Sequence, residues 1–220
     1  MQADFHIHSK YSYDSLLSPR LIIRMAKKRG LSAIAVTDHN TITGALETER
    51  EASSSQNPLV VPGVEMGTNI GDIIGLFVRE EIVSQDFTGV VDDIKERGGL
   101  VILPHPFRHH KGITKQMLDS IDVIEVLNGR SSNIQNSRSR EIAVFLRKPM
   151  IGGSDAHFAF EIGRVRTIMS DASDLDDLRK SIVSSEREIV AEEMCLPFLT
   201  HGLTFGLEVI KKIAELGNRE

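Results

Sequence analysis

The chain has 220 residues, 40% of them hydrophobic, which suits a single domain with one sizeable core. Its 26 Lys and Arg against 31 Asp and Glu leave a formal net charge of −5, which argues against an extended nucleic-acid surface because phosphate-backbone binding depends on basic side chains. A lone cysteine, Cys195, excludes an intrachain disulfide, and the sequence carries neither a secretory signal nor an apolar run of membrane-spanning length, so we expect a cytoplasmic protein.

Short apolar or β-branched runs alternate with segments of helical period, a pattern typical of parallel strands joined by crossover helices. The predicted strands cover residues 3–8, 33–37, 59–65, 73–77, 100–104, 123–127 and 150–154. Seven strands of this kind suggest an α/β barrel. Residues 71–77 have the least helical connection, which is compatible with a hairpin-like detour in place of a crossover helix.

Helix signals lie between the strands. Ser18 and Pro19 form a cap and first-turn pair before residues 21–29, and further helices are predicted at residues 86–97, 133–147 and 175–184. An additional run of strand type covers residues 165–169. The tail at 202–216 carries an apolar stripe, so we expect a packing helix that covers the barrel bottom or a partner. The stripe consists of Leu203, Leu207, Ile210 and Ile213.

Polar side chains with metal-binding chemistry fall at one end of these predicted strands. They are His6, His8, Asp38, His39, Glu65, His105, Asn128, Asp155 and His157. In a parallel barrel the carboxyl ends of the strands converge on one rim, so residues up to 150 positions apart are expected to meet there. Five of the eight histidines occupy these positions, whereas histidines placed for packing or solubility would be scattered.

The spacing favours metal ligation. Residues two apart in an extended segment point to the same side, so His6 and His8 can bind one cation together. Imidazole nitrogen combined with carboxylate oxygen suits Zn²⁺, Mn²⁺ or Fe²⁺. Asp14, in the loop after the first pair, is equally compatible with a capping role and a ligand role. His109 and His110 are interpreted as solvated loop residues, and His201 as a tail residue with nothing to bind.

Five motifs resemble the PHP family, named for polymerase and histidinol phosphatase. They are FHIHSKYSYDS at residues 5–15, TDHN at 37–40, GVE at 63–65, HPFR at 105–108 and GGSDAH at 152–157. The resemblance implies a distorted, TIM-barrel-like (β/α)7 barrel in one domain, with a PHP-like core at residues 1–170 and a C-terminal helical segment at 171–220 packing on it.

The resemblance also implies two or three divalent ions (Zn, Mn or Fe) and a ligand set for each. By this carry-over, one metal is held by His6, His8, Glu65 and Asp155. A second is held by Glu65 and His105, and a third by Asp14, His39 and His157. Two departures stand out. Asn128, a weaker neutral ligand, takes a place where several members have histidine. Asp14 stands where histidinol phosphate phosphatases often have histidine, as in members acting on nucleotide-type phosphoesters.

The predicted function is metal-dependent hydrolysis of a small phosphomonoester or nucleotide-type phosphodiester by a metal-bridging hydroxide. Arg108, Arg130 and Arg164 are candidates for binding the phosphate, each with a surface salt bridge as the alternative. The candidate leaving-group acids are His39 and a metal-bound water, and Arg108 and Arg164 are the other catalytic candidates. Two alternatives remain: an amidohydrolase-type metal hydrolase, and a catalytically silent PHP module associated with replication. We expect no membrane partner.

Overall fold

The structure is a computed structural model that describes residues 1–52, 58–108, 110, 112–184, 186–192, 202–205, 207–208 and 211. These residues form nine strands and six helices, and residues 202–205, 207–208 and 211 are also helical. The strands are β1 Gln2–Ile7, β2 Ala33–His39, β3 Leu59–Gly67, β4 Asp72–Leu76, β5 Leu100–Leu103, β6 Val123–Asn128, β7 Met150–Gly153, β8 Val165–Ile168 and β9 Glu188–Ala191. The helices are α1 Pro19–Lys28, α2 Thr43–Ala52, α3 Phe87–Glu96, α4 Lys115–Ser120, α5 Asn133–Leu146 and α6 Leu175–Ser184.

The strands form one mixed sheet in the order β7-β6-β5-β4-β3-β2-β1-β8-β9. Strands β1, β2 and β3 run parallel, as do β5, β6 and β7. The sheet curls so that the segment after β7 returns to β1, where Ile7 bridges Ala156 and the His8 amide donates to the Ala156 carbonyl at 2.9 Å. The predicted barrel is confirmed as a nearly closed, barrel-shaped mixed sheet.

Strand β4 runs antiparallel to both of its neighbours, β3 and β5. The hairpin-like detour predicted around residues 71–77 is therefore present. Its turn spans residues 68–71 and is closed by a hydrogen bond from Thr68 N to Gly71 O at 3.1 Å. An antiparallel strand sends its carboxyl end to the opposite rim. Strand β4 consequently contributes none of the predicted ligands, and the polar rim is built by the parallel strands.

Helix ends follow their capping residues. The Ser18 hydroxyl accepts from Leu21 N with Pro19 in the first turn, and Ser132 and Gln135 form a reciprocal capping box at the start of α5. The sequence predicted neither α2 nor α4 because α2 buries only small side chains and α4 has just six residues. None of the described helices has the length and apolarity needed to cross a membrane.

Strand alternation divides the core into two layers. Ala33 and Ala35 of β2 belong to an interior cluster, whereas Ile34 and Val36 face the surrounding helices. Leu178 and Ile182 of α6 pack into the interior cluster, so α6 occupies the place expected for the C-terminal tail. In the tail stripe, Leu203 is 53% exposed, and Ile210 and Ile213 lie outside the described residues.

Barrel closure generates a prediction at Gly153, the last residue of β7. A Cβ atom there would lie 2.4 Å from His6 Cβ and 2.7 Å from Glu125 Oε1. We expect Gly153→Ala to push β7 away from β1 and lower the free energy of unfolding by about 1–3 kcal/mol, as overpacking does. Chemical denaturation measures the difference. Gly67→Ala is the control because its nearest atoms lie 3.9 Å away. Equal unfolding midpoints for both variants would contradict the close approach.

Candidate metal centre

The parallel strands deliver their terminal side chains to one cavity of about 410 Å³. The backbone turns sharply where two of them end, since His105 and Asp155 adopt φ values of 29° and 55°. Such conformations are costly for residues other than glycine and are held by the surrounding structure. They aim both side chains into the cavity. The predicted ligands that line it directly are Asp14, His39, Glu65, His105, Asp155 and His157.

A first donor group combines His6, His8, Glu65 and Asp155, all nearly fully buried. His6 Nε2 and His8 Nε2 are 3.1 Å apart, and each lies 3.3 Å from Glu65 Oε2. Asp155 Oδ1 lies 3.6 Å from His6 Nε2 and 3.3 Å from His8 Nε2. A tetrahedron with metal–ligand bonds of about 2.1 Å has edges of about 3.4 Å. His6 and His8 therefore lie at the ligand spacing of a single cation from each other and from both carboxylates.

A second donor group combines Asp14, His39 and His157 with His8. Asp14 Oδ2 lies 2.7 Å from His157 Nε2 and 3.5 Å from His39 Nε2. His8 belongs to this group because the ligand atoms of all four residues lie within 4.8 Å of one another. Glu65 Oε2 connects the two groups, since it lies 3.3 Å from His39 Nδ1. The two groups are neighbours that share ligands.

Three histidines have their Nδ1 atoms paired with acceptors, which fixes the tautomer. His6 Nδ1 donates to Glu125 Oε1 at 3.1 Å, and His157 Nδ1 donates to the Asp155 carbonyl at 2.8 Å. His8 Nδ1 donates to Ser12 Oγ at 3.0 Å, because that hydroxyl gives its own proton to Asp38. Each ring therefore presents Nε2 to the cavity, which is how metal-binding histidines are oriented. This donor set fits divalent cations.

Electrostatics agree with a cation site. Burial and the neighbouring His157 and His39 rings lower the pKa of His8 to about 3, so His8 is neutral at neutral pH. Burial opposes ionisation of Glu65 and Asp155. The His6 and His39 rings nevertheless hold the pKa of Glu65 well below its usual range, and Arg108 and His6 do the same for Asp155. For His39 burial is outweighed by the Glu65 and Asp14 carboxylates, which raise its pKa to about 9. The cavity therefore attracts positive charge.

Asn128, a predicted ligand, is engaged in hydrogen bonds. Its Oδ1 accepts from Arg108 Nη1 and from the Arg130 amide, both at 2.9 Å. Its Nδ2 donates to Glu125 Oε2 at 3.0 Å and to Asp155 Oδ2 at 3.2 Å. Asn128 therefore lies at the centre, where its hydrogen bonds connect Arg108 with the carboxylates of Glu125 and Asp155.

The three candidate arginines have different places. Arg108 and Arg130 line the cavity, and the Arg130 guanidinium is buried against Glu161 at 3.1 Å. Arg164 does not reach the cavity: its Nε donates to the Phe160 carbonyl at 2.8 Å and its guanidinium lies 5.7 Å over the Phe160 ring. The sequence places Arg164 soon after His157, but the turn after β7 directs it outward.

His110 differs from its predicted solvated state. Its Nε2 donates to the Asp72 carbonyl at 3.0 Å, and its ring packs against Gly71. His109 and His201 lie outside the described residues. The tail at 202–216 also departs from expectation, since Thr204, Phe205 and Glu208 line the same cavity as the candidate metal ligands. These three residues therefore lie at the polar rim.

Sequence reasoning missed the buried carboxylates that position the rim, Glu125 and Glu161 among them. Glu125, in β6, contacts His6 Nδ1 and accepts from the His105 amide at 2.8 Å. Glu161 accepts from the His157 and Phe158 amides at 2.8 and 2.9 Å. Glu125 was detectable, because an acidic residue within the apolar run at 123–127 must find partners when buried. Nothing in the local sequence marks Glu161.

Comparisons with known proteins are consistent with this site. The sequence profile of the PHP domain matches residues 4–103, and a PHP-associated profile matches residues 133–186. A protein from Methanocaldococcus jannaschii described as uncharacterized is 41% identical over 143 residues, covering 58% of this chain and 82% of that protein. A second one from the same organism is 33% identical over 174 residues, covering 74% and 68% respectively.

A solved structure from Bacteroides vulgatus shares the fold. It is described as a two-domain protein containing a predicted PHP-like metal-dependent phosphoesterase. The superposition has a TM-score of 0.75 at 18% sequence identity and covers 88% of this chain. This chain spans 65% of the length of that protein.

The donor groups predict stabilisation by metal. We expect Mn²⁺ or Zn²⁺ to raise the thermal midpoint of the chelator-treated protein, because a cation bound only by the folded state at about 100 times its Kd adds about 2.7 kcal/mol. His8→Ala should remove most of this gain, since His8 belongs to both groups. Glu47→Gln, at a surface ion pair with Arg50, is the control and should respond like wild type. Equal midpoints with and without metal would contradict the site.

The pKa directions predict a pH-dependent metal affinity. Burial disfavours the charged form of His6, but the Asp155 and Glu65 carboxylates raise its pKa well above the usual value, and that of His39 is about 9. Both rings therefore carry protons at neutral pH, and an incoming cation must displace them. Affinity should rise with pH from about 6 to about 9, by about tenfold per pH unit for each proton displaced. Calorimetric titrations at several pH values measure this, and a constant affinity would refute it.

Proposed function

The chain belongs to the PHP domain family, and we propose from this premise that it is a metal-dependent phosphoesterase. The observation that carries the proposal is the first donor group, in which His6 Nε2 and His8 Nε2 lie 3.1 Å apart and each lies 3.3–3.6 Å from both Glu65 Oε2 and Asp155 Oδ1. The Bacteroides vulgatus structure, whose description includes a predicted phosphoesterase of this kind, supports the reaction class.

The cations would be held by the two donor groups, with Glu65 between them. When bound, divalent cations supply a water that is activated near neutral pH and positive charge for the phosphate oxygens. The chain's own residues prepare the place. Glu125 and Ser12 hold the His6 and His8 rings by their Nδ1 atoms, so little reorganisation is needed when a ligand arrives.

Arg108 is the residue best placed to bind the phosphoryl group. Its side chain is 13% exposed at the cavity, and Asp155 and Asn128 hold its two terminal nitrogens. A guanidinium has five N–H donors in a planar fork, so donors remain to face an oxyanion. Arg130 is bound to Glu161 and supports the loop that carries His157. We therefore assign phosphate binding to Arg108 and a positioning role to Arg130.

The cavity suits a small phosphorylated substrate. Its volume of about 410 Å³ lies within the usual range of small-molecule sites. Tyr13, Phe205 and Glu208 line it together with the candidate metal ligands. Tyr13 stacks on His39 with ring centroids 4.8 Å apart. Since Phe205 and Glu208 come from the C-terminal segment, we propose that residues 171–220 form one domain with the barrel core.

Metal removal and a substrate panel test the reaction class. We expect the chelated protein to be inactive on aryl phosphomonoesters and phosphodiesters, Mn²⁺ or Zn²⁺ to restore hydrolysis, and His8→Ala to lack it. Glu47→Gln serves as the control with wild-type turnover. Aryl amides in the same panel separate phosphoester from amide hydrolysis. Full activity after chelation would refute the metal mechanism, and turnover of amides alone would refute the substrate class.

A further inference from the structure

Arg108 lies inside the donor cluster instead of at its edge. It follows β5, and its guanidinium bridges two other strand ends: Nη1 donates to Asn128 Oδ1 at 2.9 Å after β6, and Nη2 contacts Asp155 Oδ2 after β7. The Asp155 carboxylate and the proximity of Glu65 and Glu125 outweigh burial and raise the pKa of Arg108 above its ordinary value. A permanent positive charge therefore stands among the carboxylates.

The two oxygens of Asp155 have different partners: one faces the candidate metal site and the other faces the Arg108 guanidinium. Oδ1 faces His6 and His8 at 3.6 and 3.3 Å, whereas Oδ2 receives Arg108 and the Asn128 amide. Glu65 divides similarly. Its Oε2 lies among His6, His8 and His39, and its Oε1 lies 2.9 Å from His105 Nε2. Each carboxylate therefore offers one oxygen to a cation site and holds a protein side chain with the other.

A third cation beside His105 has a poor donor set. His105 and Glu65 Oε1 supply two donors, and the His6 ring that completes their group already belongs to the first donor group, whereas protein metal sites of this kind use three or four ligands. Asn128 Oδ1, a further oxygen at this centre, already accepts hydrogen bonds from Arg108 Nη1, the Arg130 amide and Ser131 Oγ. Displacing them would leave Arg108 next to a divalent ion, and like charges at close range in a buried site repel strongly.

We propose that this centre holds two divalent cations and that the Arg108 guanidinium supplies the positive charge that a third would otherwise provide. The first cation uses the group of His6, His8, Glu65 and Asp155, which His105 can join because its ligand atom lies within 4.8 Å of those of His6 and Glu65. The second uses Asp14, His39 and His157. The inference rests on the proposed metal-dependent function and deepens it.

Counting the metal tests the inference without relying on activity. Wild-type protein is loaded with Mn²⁺ or Zn²⁺ and exchanged into metal-free buffer, and elemental analysis then gives ions per chain. Calorimetric titration of the chelated protein counts the sites independently. We expect two. Three tightly bound ions would overturn the inference while leaving the proposed function intact, and none would overturn both.

A variant designed to bind one more metal ion tests the role of Arg108. In the double variant Asn128→His/Arg108→Gln, an imidazole can join His105 and Glu65 while the opposing charge is removed, so we expect the count to rise from two to three. Arg20→Gln, at a surface pair with Glu51, is the matched arginine control and should retain two. A folded double variant that still binds two ions would overturn the explanation by Arg108. Circular dichroism shows whether the double variant is folded. If it is not, the number of metal ions per wild-type chain still tests the inference.

Discussion

The return of the segment after β7 to the end of β1 is the contact on which the site depends. The His8 amide donates to the Ala156 carbonyl, and the Ala156 amide in turn contacts the His6 carbonyl. This pairing places residues about 150 positions apart in sequence side by side. It requires Gly153, since a larger residue would collide with His6. Without this closure Asp155 and His157 would not reach the two strand-one histidines.

Four buried carboxylates maintain that closure around the cavity. Asp4 accepts from the Ser154 and Gly163 amides, Asp38 from the Ser9 amide, Glu125 from the His105 amide and Glu161 from the His157 amide. Each fixes a loop at the place where a ligand leaves its strand. Burying an acidic group is costly unless it is hydrogen-bonded, and these carboxylates each accept at least two hydrogen bonds. The ligands are therefore held before any cation binds, which reduces the reorganisation that binding requires.

Sequence reasoning was most accurate where local rules act. The cap at Ser18 and the apolar run at 33–37 predicted α1 and β2 to within two residues. It failed where long-range packing decides. Strand β9 has just four residues, of which Ile189 and Val190 are half-buried, and so short a run did not predict a strand without its partner β8. The tail at 202–216 was expected to cover the barrel bottom or a partner, but α6 packs at the bottom and Thr204 reaches Arg130 at the opposite rim.

The sequence by itself determined which candidate metal ligands the chain has and that they follow the ends of strands. Residue type and the period of two along a strand are enough for this. The tertiary structure alone decided which atoms meet. Asp155 faces the histidines with one oxygen and Arg108 with the other, Asn128 links arginine to carboxylate, and Arg164 turns away. The reason is physical: side-chain direction at a strand end depends on backbone angles and on neighbours from distant strands. A single chain read in order carries no record of those neighbours until the sheet closes.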